Sequence, residues 1–534
     1  MSSSFSIARR SLLKLLGATG LVACTTDEAA DDASESDVTG ETFEYIVVGS
    51  GAGGGPLAAN LARQGHKVLL IEAGDDRGAN ADYQVPAWHT LSTEDEDMRW
   101  DFFVKHYEGA AQQAKDTKLS FDDAARSKPK GVLYPRAGTL GGCTSHNAMI
   151  TVYPHESDWN GIAELTGDDS WRAESMRGYF QILERAEYLG TSDSTAGHGL
   201  RGWLSVNRAD PRLGLQDVKI LKIVTAAAVS FVRSTGRSIF TRLFADANEL
   251  LSVMRRDVNT AAPGRDQAEG LYTIPLATTS TGKRNGTREY ILSTIDKRAP
   301  LTLKTNTLVS RVLFATKKDS KGRAKAIGVE VLEGAHLYRA DPKASGAGVK
   351  KTYKASREVI LSAGAFNTPQ ILKLSGVGPR EELDRFGIPL VVDLPGVGTN
   401  LQDRYEVGVV SKLDSDFTLL ERCTWGQGSD PCLDDWKRGG GVYTSNGAVV
   451  AIVKKSTPDK RDPDLIVFGL PGYFKGYEPG YSKRVTADKR HFTWAVLKAH
   501  TGNTAGTVTL RSKDPRDVPD ISFRYFDEGT PGAA

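Results

Sequence analysis

The hydrophobic pattern at the start of the folded chain predicts a strand, a helix and a second strand. Residues 44–48 are a short apolar run that leads directly into a glycine-rich turn. Residues 57–63 then place apolar side chains at helical spacing, and residues 67–71 form a second apolar run. Continuous apolar runs on either side of a helix are typical of parallel strands that are buried on both faces. The pattern therefore predicts a βαβ unit.

Further along the chain, the pattern predicts more strands and one long helix. Residues 218–245 have the apolar spacing of a helix. Short apolar runs rich in β-branched residues predict strands. These predicted strands are residues 301–305, 308–314, 327–332, 358–362, 464–468, 491–498 and 507–511. Together with the βαβ unit, they indicate an α/β chain.

The turn after the first strand has the spacing of a dinucleotide-binding fingerprint. Gly49, Gly51 and Gly54 follow the pattern G-x-G-x-x-G, and Glu72 ends the second strand. Gly49 permits a tight turn, Gly51 lets the backbone approach a pyrophosphate, and Gly54 allows close packing of helix and strand. The helix N-terminus supplies amide donors, and Glu72 can accept hydrogen bonds from both ribose hydroxyls. The unit predicts dinucleotide binding but does not distinguish NAD from FAD.

The first 24 residues predict an export signal rather than part of the fold. Arg9 and Arg10 resemble a twin-arginine signal, and the apolar run that follows is too short to cross a bilayer. The run ends in a sequence that resembles a lipobox, with Cys24 as the lipidated residue; a signal peptide cut nearby without a lipid is the alternative. Residues 25–42 hold seven acidic and no basic residues, which predicts a disordered linker. We expect a bacterial protein that is periplasmic or anchored to the membrane as a lipoprotein.

Composition and charge exclude some classes of protein. The 534 residues are 40% hydrophobic and 25% charged, as in soluble globular proteins. A net charge of +2 offers no basic footprint for nucleic acid. The cysteines lack zinc-ligand spacing with histidines, so we expect no metal site. Cys423 and Cys432 can form a disulfide in an exported protein, and two free thiols are the alternative.

Four blocks of the sequence resemble the glucose–methanol–choline (GMC) oxidoreductases, which are FAD enzymes that act on alcohols. The blocks are the fingerprint ending in Ile71-Glu72-Ala73-Gly74, residues 135–149, residues 361–379 and residues 394–403. Their order and spacing match the family over most of residues 43–534. One departure is Arg404, where family members often have a histidine. The resemblance favours FAD over NAD.

This resemblance implies an FAD-binding, Rossmann-like doubly wound domain plus a substrate-binding domain with a large antiparallel sheet. We expect the FAD-binding domain at residues 43–154 and 263–400. The substrate-binding domain is then expected at residues 155–262 and 401–534. Each domain would be discontinuous in sequence.

The resemblance also assigns several residues to the flavin cofactor. Gly141 and Gly142 would let the backbone approach the isoalloxazine ring, with Asn147 as a contact. Val309 corresponds to a backbone contact on the adenine side. Ala363 follows a predicted strand and would allow close approach of the backbone to the cofactor.

His146 has a separate implied role. It matches the position at which choline oxidase-like members of the family bind FAD covalently through a histidine ring nitrogen. Such a bond should raise the reduction potential of the flavin. We therefore predict covalent attachment through His146, with noncovalent contact and a purely structural role as the alternatives.

The catalytic residues of this chain are not identified by the resemblance. In the family, a histidine near the C-terminus removes the alcohol proton while the carbinol carbon passes hydride to flavin N5. Residues 506–511 resemble a segment well before that histidine, and the sequence stops at Ala534. We therefore expect an enzyme truncated before its catalytic histidine. His500 precedes this segment, so we expect it to be a structural or surface residue.

The predicted function is FAD-dependent oxidation of the CH–OH group of a small-molecule alcohol. The alternative is a flavin-binding but catalytically inactive fragment. A lyase that uses flavin only structurally and an NAD dehydrogenase are further alternatives. The electron acceptor, whether oxygen, a quinone or a cytochrome, stays open.

Overall fold

The computed structural model describes residues 40–189, 197–234 and 256–526. The predicted signal at residues 1–24, including Cys24, lies outside the described residues. The same holds for the predicted linker at residues 25–42, apart from its last three residues. The first strand begins at Thr42, one residue before the predicted start of the fold.

The strands are β1 Thr42–Val48, β2 Val68–Ile71, β3 Arg99–Val104, β4 Leu119–Phe121, β5 Pro129–Ala137, β6 Glu184–Ala186, β7 Leu204–Arg208, β8 Gly270–Tyr272, β9 Pro275–Leu276, β10 Leu301–Lys304, β11 Thr307–Phe314, β12 Ala326–Glu333, β13 Val349–Leu361, β14 Val377–Gly378, β15 Val392–Asp393, β16 Glu406–Lys412, β17 Val450–Lys454, β18 Leu465–Pro471, β19 His491–Lys498, β20 Thr507–Thr509 and β21 Asp520–Ser522. The α-helices are α1 Gly54–Arg63, α2 Ala81–Gln84, α3 His89–Ser92, α4 Ala110–Gln113, α5 Glu156–Thr166, α6 Ala173–Leu183, α7 Pro211–Leu215, α8 Val218–Ser234, α9 Thr287–Asp296, α10 Gly364–Leu374, α11 Arg380–Arg385, α12 Pro431–Lys437 and α13 Tyr481–Ala487. Within the described ranges, no helix combines the length and apolar character needed to cross a membrane.

The predicted βαβ unit forms the centre of a six-stranded sheet with the order β10-β2-β1-β13-β12-β11. β10, β2, β1 and β13 are parallel, whereas β12 and β11 run antiparallel to their neighbours. Val47 and Leu70 pack on one face with Ile291 of α9. Ile46 packs on the other face with Ile371 of α10. Because both faces are covered, these strands are apolar at successive positions, as the sequence predicted.

A second, five-stranded sheet is antiparallel throughout, with the order β16-β19-β18-β17-β8. This confirms the predicted antiparallel sheet. β8 pairs with β17, with Ala451 opposite Tyr272. Residues 270–272 fall within the interval 263–400 predicted for the FAD-binding domain. The predicted domain bounds stay a prediction.

The disulfide between Cys423 and Cys432 is present, which confirms the predicted pairing. Both cysteines lie in an apolar core with Trp436 and Phe492. The predicted helix at residues 218–245 is described as far as Ser234. The rest of that helix lies outside the described residues.

A buried ion cluster around His198 joins segments that are far apart in sequence. The Nδ1 atom of His198 lies 2.9 Å from Glu184 Oε2, and its Nε2 atom lies 2.6 Å from Asp257 Oδ2. Arg208 Nη2 lies 2.9 Å from the other oxygen of Asp257. Burial lowers the pKa of His198, but its hydrogen bonds to Asp257 and Glu184 outweigh this and raise the pKa to about 9. His198 is therefore a buried imidazolium at neutral pH.

Replacing His198 with glutamine is expected to remove a pH-dependent part of the stability. The folded pKa of about 9 lies above the reference value of 6.5. This stabilisation is therefore complete below pH 6.5 and is lost as the pH rises through 9. We expect it to change by about 3 kcal/mol over that range. Thermal unfolding from pH 6 to pH 10 checks this: the gap in Tm between wild type and His198→Gln should shrink with rising pH. A gap that is constant with pH would contradict the assignment. His336→Gln, at a partly exposed histidine, is the control.

Candidate cofactor and active site

The glycine turn after β1 is shaped by two glycines that no other residue can replace. Gly49 has φ +97°, and a Cβ atom on it would lie 2.4 Å from the carbonyl oxygen of Ser362. A Cβ atom on Gly54, the first residue of α1, would lie 2.0 Å from the carbonyl oxygen of Gly49. The turn therefore needs both glycines to bring β1, β13 and the start of α1 together.

Gly51 differs from these two because the protein itself leaves room beside it. The nearest atom to a Cβ atom on Gly51 would be the Cα atom of Gly142, at 4.0 Å. The space beside Gly51 belongs to a first cavity of about 400 Å³. Residues 49–53, which lead into α1, line this space, and the N-terminus of a helix suits a phosphate group.

Glu72 links the fingerprint to the second glycine motif. Its carboxylate is buried and accepts hydrogen bonds from Ser50 N at 3.1 Å, Ser50 Oγ at 2.5 Å and Gly74 N at 3.0 Å. Ser50 Oγ in turn accepts a hydrogen bond from Gly141 N at 2.9 Å. Burial raises the pKa of Glu72, and the hydrogen bonds oppose that shift. Glu72 therefore fixes the glycine turn, and its contact with ribose stays a prediction.

The first cavity brings together most of the residues predicted to bind the cofactor. Its walls include the predicted residues Gly49, Gly51, Glu72, Gly142, Val309 and Ala363. Gly49 directly follows the end of β1, and Ala363 lies two residues after the end of β13. Since both line the cavity, it lies at the carboxyl ends of these two strands. Val309, on β11, borders it as well. This is the position at which doubly wound sheets bind ligands.

A second cavity of about 620 Å³ adjoins the first. Arg136 and Cys143 line both cavities. His146 and Asn147 line only the second one. Gly141, which was also predicted to lie beside the flavin, lines neither cavity. Its backbone amide donates a hydrogen bond to Ser50 Oγ. The cavity at the glycine turn and the cavity at His146 are therefore neighbours, with Arg136 and Cys143 between them.

His146 lies in the wall of the second cavity, and the residue is only 4% exposed. Nδ1 of His146 is enclosed and has no hydrogen-bond partner among the described residues. Burial, together with the positive charge of Arg284, lowers the pKa of His146 to about 3. The imidazole is therefore neutral near neutral pH, with a proton on only one of its two nitrogens.

Arg284 is a buried cation that sequence reasoning missed. Its Nη1 atom donates to the carbonyl oxygens of Thr144 and Asn147 at 3.1 and 2.8 Å and to Asn147 Oδ1 at 2.9 Å. Its Nε atom donates to the carbonyl oxygen of Tyr83 at 2.8 Å. Burial lowers the pKa of Arg284 to about 10, so it still carries its charge at neutral pH. Arg284 thus fixes the loop around His146 and places a positive charge behind it.

His89, the first residue of α3, is the second residue that sequence reasoning missed. It lines the second cavity, and its Nε2 atom lies 3.2 Å from the carbonyl oxygen of Asn446. Burial and the charge of Arg284 lower the pKa of His89 to about 4. No local motif marks His89 or Arg284, because their partners lie more than a hundred residues away in the sequence.

Two other expectations concern His500 and Arg404. His500 is mostly exposed, and its Nε2 atom lies 2.6 Å from Asp158 Oδ1. This confirms the expected surface position. Arg404 is exposed at the edge of the second cavity. Over the described ranges, no group of three or more histidine, cysteine or acidic residues is arranged to hold a metal ion.

Two observations support the binding of FAD, the predicted cofactor, in these two neighbouring cavities. A Cβ atom on Gly51 would have no protein atom closer than 4.0 Å, so the backbone in this wall of the first cavity is open to the approach of a ligand. The unpartnered Nδ1 atom marks His146 as a buried polar residue that the protein alone does not satisfy.

Comparison with known proteins identifies the family. Residues 18–406, more than half of the chain, match the family model described as GMC oxidoreductase. The chain belongs to the GMC oxidoreductases. These are FAD-dependent proteins, so FAD is the cofactor of this site, and the predicted family and cofactor are confirmed.

Individual relatives cover nearly the whole chain. The oxygen-dependent choline dehydrogenase of Pseudomonas putida strain GB-1 is 28% identical over 493 residues, which are 91% of this chain and 74% of that protein. The protein of the same name from Pseudomonas fluorescens strain SBW25 is 27% identical over 493 residues, 91% of this chain and 73% of that protein.

Solved structures of GMC oxidoreductases share the fold. A variant of formate oxidase from Aspergillus oryzae RIB40 has a TM-score of 0.67 and 19% identity, covering 91% of this chain and 78% of that one. Pyridoxine 4-oxidase from Mesorbium loti has a TM-score of 0.63 and 19% identity, covering 91% of this chain and 77% of that one. The predicted fold of a Rossmann-like FAD domain with a second, antiparallel sheet is thus confirmed.

Proposed function

We propose that this GMC oxidoreductase oxidises the CH–OH group of a small-molecule alcohol to a carbonyl group. The observation that supports this most is that the two cavities lie side by side and share Arg136 and Cys143 as wall residues. The first cavity has the glycine turn of a dinucleotide site, and the second adds about 620 Å³ beside His146. Relatives named choline dehydrogenase and pyridoxine 4-oxidase also support an alcohol substrate.

Residues of this chain divide the binding of FAD between the two cavities. The amide groups at the start of α1 would hold the pyrophosphate, with Gly51 allowing its close approach. Val309 and Ala363 would border the adenosine part. Arg284 holds the 144–147 loop in place through three hydrogen bonds. When bound, FAD supplies the acceptor for the hydride that leaves the alcohol carbon.

We also propose that His146 is the point of covalent attachment of FAD. Its imidazole is neutral, because burial and Arg284 lower its pKa to about 3. A neutral ring nitrogen keeps the lone pair that a covalent bond requires. Because Nδ1 of His146 has no protein partner in the described part of the chain, the site does not commit this side chain to another structural role.

The experiment that tests the proposed reaction combines the purified protein with primary and secondary alcohols and a dye that accepts electrons. Reduction of the dye that depends on the alcohol, with formation of the matching aldehyde or ketone, is expected. Tertiary alcohols of similar size are the matched control, since they have no hydrogen on the carbinol carbon. Dye reduction that is equal with tertiary alcohols, or absent with every alcohol, would contradict the proposal.

A further inference from the structure

The wall of the second cavity carries more positive than negative charge. Histidines apart, five of its residues are cations and three are acids. The cations are Lys115, Lys118, Arg136, Arg404 and Lys475, and the acids are Asp116, Asp403 and Glu406. Over the whole chain, 68 basic residues are balanced by 66 acidic ones, so the excess is a local property of this cavity.

The five cations have no paired carboxylate in the described part of the chain. No side-chain carboxylate there lies within ion-pair distance of any of them. Lys118 acts on Glu406, and Asp403 acts on Arg136, only through charge at longer range. A cation that is left without a close carboxylate is available to an anionic ligand.

The three acids of the wall are bound to other partners or affected by burial. Asp116 Oδ2 lies 2.6 Å from His106 Nδ1. Asp403 Oδ2 accepts a hydrogen bond from the hydroxyl group of Tyr134 at 2.8 Å. Burial raises the pKa of Glu406 against the opposing charge of a nearby lysine, which favours the uncharged carboxyl group. The acids therefore leave the wall with an excess of positive charge.

Arg136 is the one of these cations that also borders the proposed cofactor cavity. It lies on β5 and is half-buried. Its Cζ atom lies 4.6 Å from the ring centroid of Tyr134 and 4.8 Å from that of Phe366. Its Nη1 atom donates to the carbonyl oxygen of Pro135 at 3.5 Å. A guanidinium has five N–H groups and binds a carboxylate through two parallel hydrogen bonds. Arg136 therefore has donors left for an anionic ligand between the two cavities.

FAD does not account for most of this charge. Its pyrophosphate is proposed to lie at the glycine turn, in the first cavity, where Glu72 and Arg136 are the charged wall residues. The other four cations line only the second cavity. Even if a phosphate group engaged Arg136, these four would border the space left for the substrate. An anionic group of the substrate is the partner that fits them.

We infer that the alcohol substrate carries a carboxylate group, so that the protein oxidises a hydroxy acid. The inference rests on the proposed function and names the substrate class for it. Arg136 would bind the carboxylate beside the flavin, and the other four cations would attract the anion into the cavity. Because Arg136 alone among these cations borders the cofactor cavity, the singly charged carboxylate is expected rather than a doubly charged phosphate group. Only the CH–OH group reacts, and the carboxylate is unchanged.

Binding of benzoate and of benzamide to oxidised holoenzyme, followed through the visible flavin band, tests the preference for an anion. The two probes have nearly the same shape, and only benzoate is charged. We expect benzoate to bind about 10- to 100-fold more tightly, the usual effect of hydrogen bonds to a charged group. The preference should shrink as the ionic strength rises. Benzoate that binds no more tightly than benzamide would overturn the inference. Phenyl phosphate that binds more tightly than benzoate would overturn the choice of a carboxylate.

The Arg136→Met variant removes the central charge of the proposed site. Its affinity for benzoate should fall to that for benzamide. Lys297→Met, at an exposed lysine outside both cavities, is the control and should keep the wild-type preference. If Arg136→Met does not retain its flavin, the double variant Lys118→Gln/Arg404→Gln is measured instead, and its preference for benzoate should be weakened at low ionic strength. A wild-type preference in the variant that is measured would contradict the inference.

Flavin bleaching under anaerobic conditions separates this inference from the proposed function. Mandelate and p-(hydroxymethyl)benzoate carry the carboxylate next to and far from the carbinol carbon, and benzyl alcohol lacks it. At equal, limiting concentration, the better of the two acids should bleach the flavin about 10- to 100-fold faster than benzyl alcohol. If no alcohol bleaches the flavin but benzoate is preferred, the oxidation fails and the anion site stands. If benzyl alcohol bleaches the flavin at least as fast as both acids, the inference fails and the oxidation stands.

Discussion

Acid precipitation of the His146→Ala variant is expected to leave all of its flavin in the supernatant, whereas wild-type flavin should stay with the precipitated protein. The physical reason is that a covalent bond survives unfolding and the contacts of a folded cavity do not. We propose His146 as the attachment point because its ring is neutral and lines the cavity that adjoins the glycine turn. The result should be all or nothing, which makes it the largest effect predicted here.

The control for this experiment is His106→Ala, which changes a histidine of the same cavity. Its flavin should remain with the precipitate as in wild type. Wild-type flavin found entirely in the supernatant would show that the cofactor is held noncovalently. Precipitated flavin in His146→Ala would place the bond at another residue. Either result would contradict attachment through His146.

The second large effect is expected at Gly51. A valine there meets no protein atom closer than 4.0 Å at its Cβ position, so the fold should tolerate it. The side chain would instead fill the space through which the pyrophosphate approaches the backbone. Overfilling a packed site costs about 1–3 kcal/mol, so we expect FAD affinity to fall about 10- to 100-fold. Flavin bound per chain, measured over a range of FAD concentrations, gives this value.

The matched control is Gly178→Val in α6, where a Cβ atom would have nothing within 4 Å. It carries the same change of residue on a helix that lines neither FAD cavity. Its flavin content should equal that of wild type. If Gly51→Val bound FAD normally, the cofactor could not approach the turn as proposed. If Gly51→Val failed to fold while Gly178→Val folded, Gly51 would serve the fold rather than the ligand.

Local patterns predicted the central sheet well because its signals lie within single elements. The apolar runs at residues 44–48 and 67–71 became β1 and β2. In the second sheet, β19 likewise has the bounds predicted for it at residues 491–498. β13 is longer than the predicted 358–362, since it begins at Val349. Its first residues are exposed and charged, and a solvated strand of this kind has no apolar pattern to detect.

The candidate site was predictable only where a motif carried it. The glycine turn, Glu72 and the stretch around His146 could be located because their spacing is fixed by ligand geometry. Arg284 and His89 could not, since they act through carbonyl groups of Asn147 and Asn446 that any residue provides. Their positions depend on tertiary packing rather than on local sequence. The partners of His198 were missed for the same reason.

A single anaerobic turnover decides whether alcohol oxidation is the function of this protein. Oxidised holoprotein is mixed with an alcohol that reduces the dye in the steady-state assay, and the visible flavin band and the carbonyl product are measured together. We expect the band to bleach with one carbonyl group formed per flavin, and a deuterium on the carbinol carbon to slow the bleaching. Flavin that stays oxidised with every alcohol tested, with no carbonyl product, would contradict the assignment.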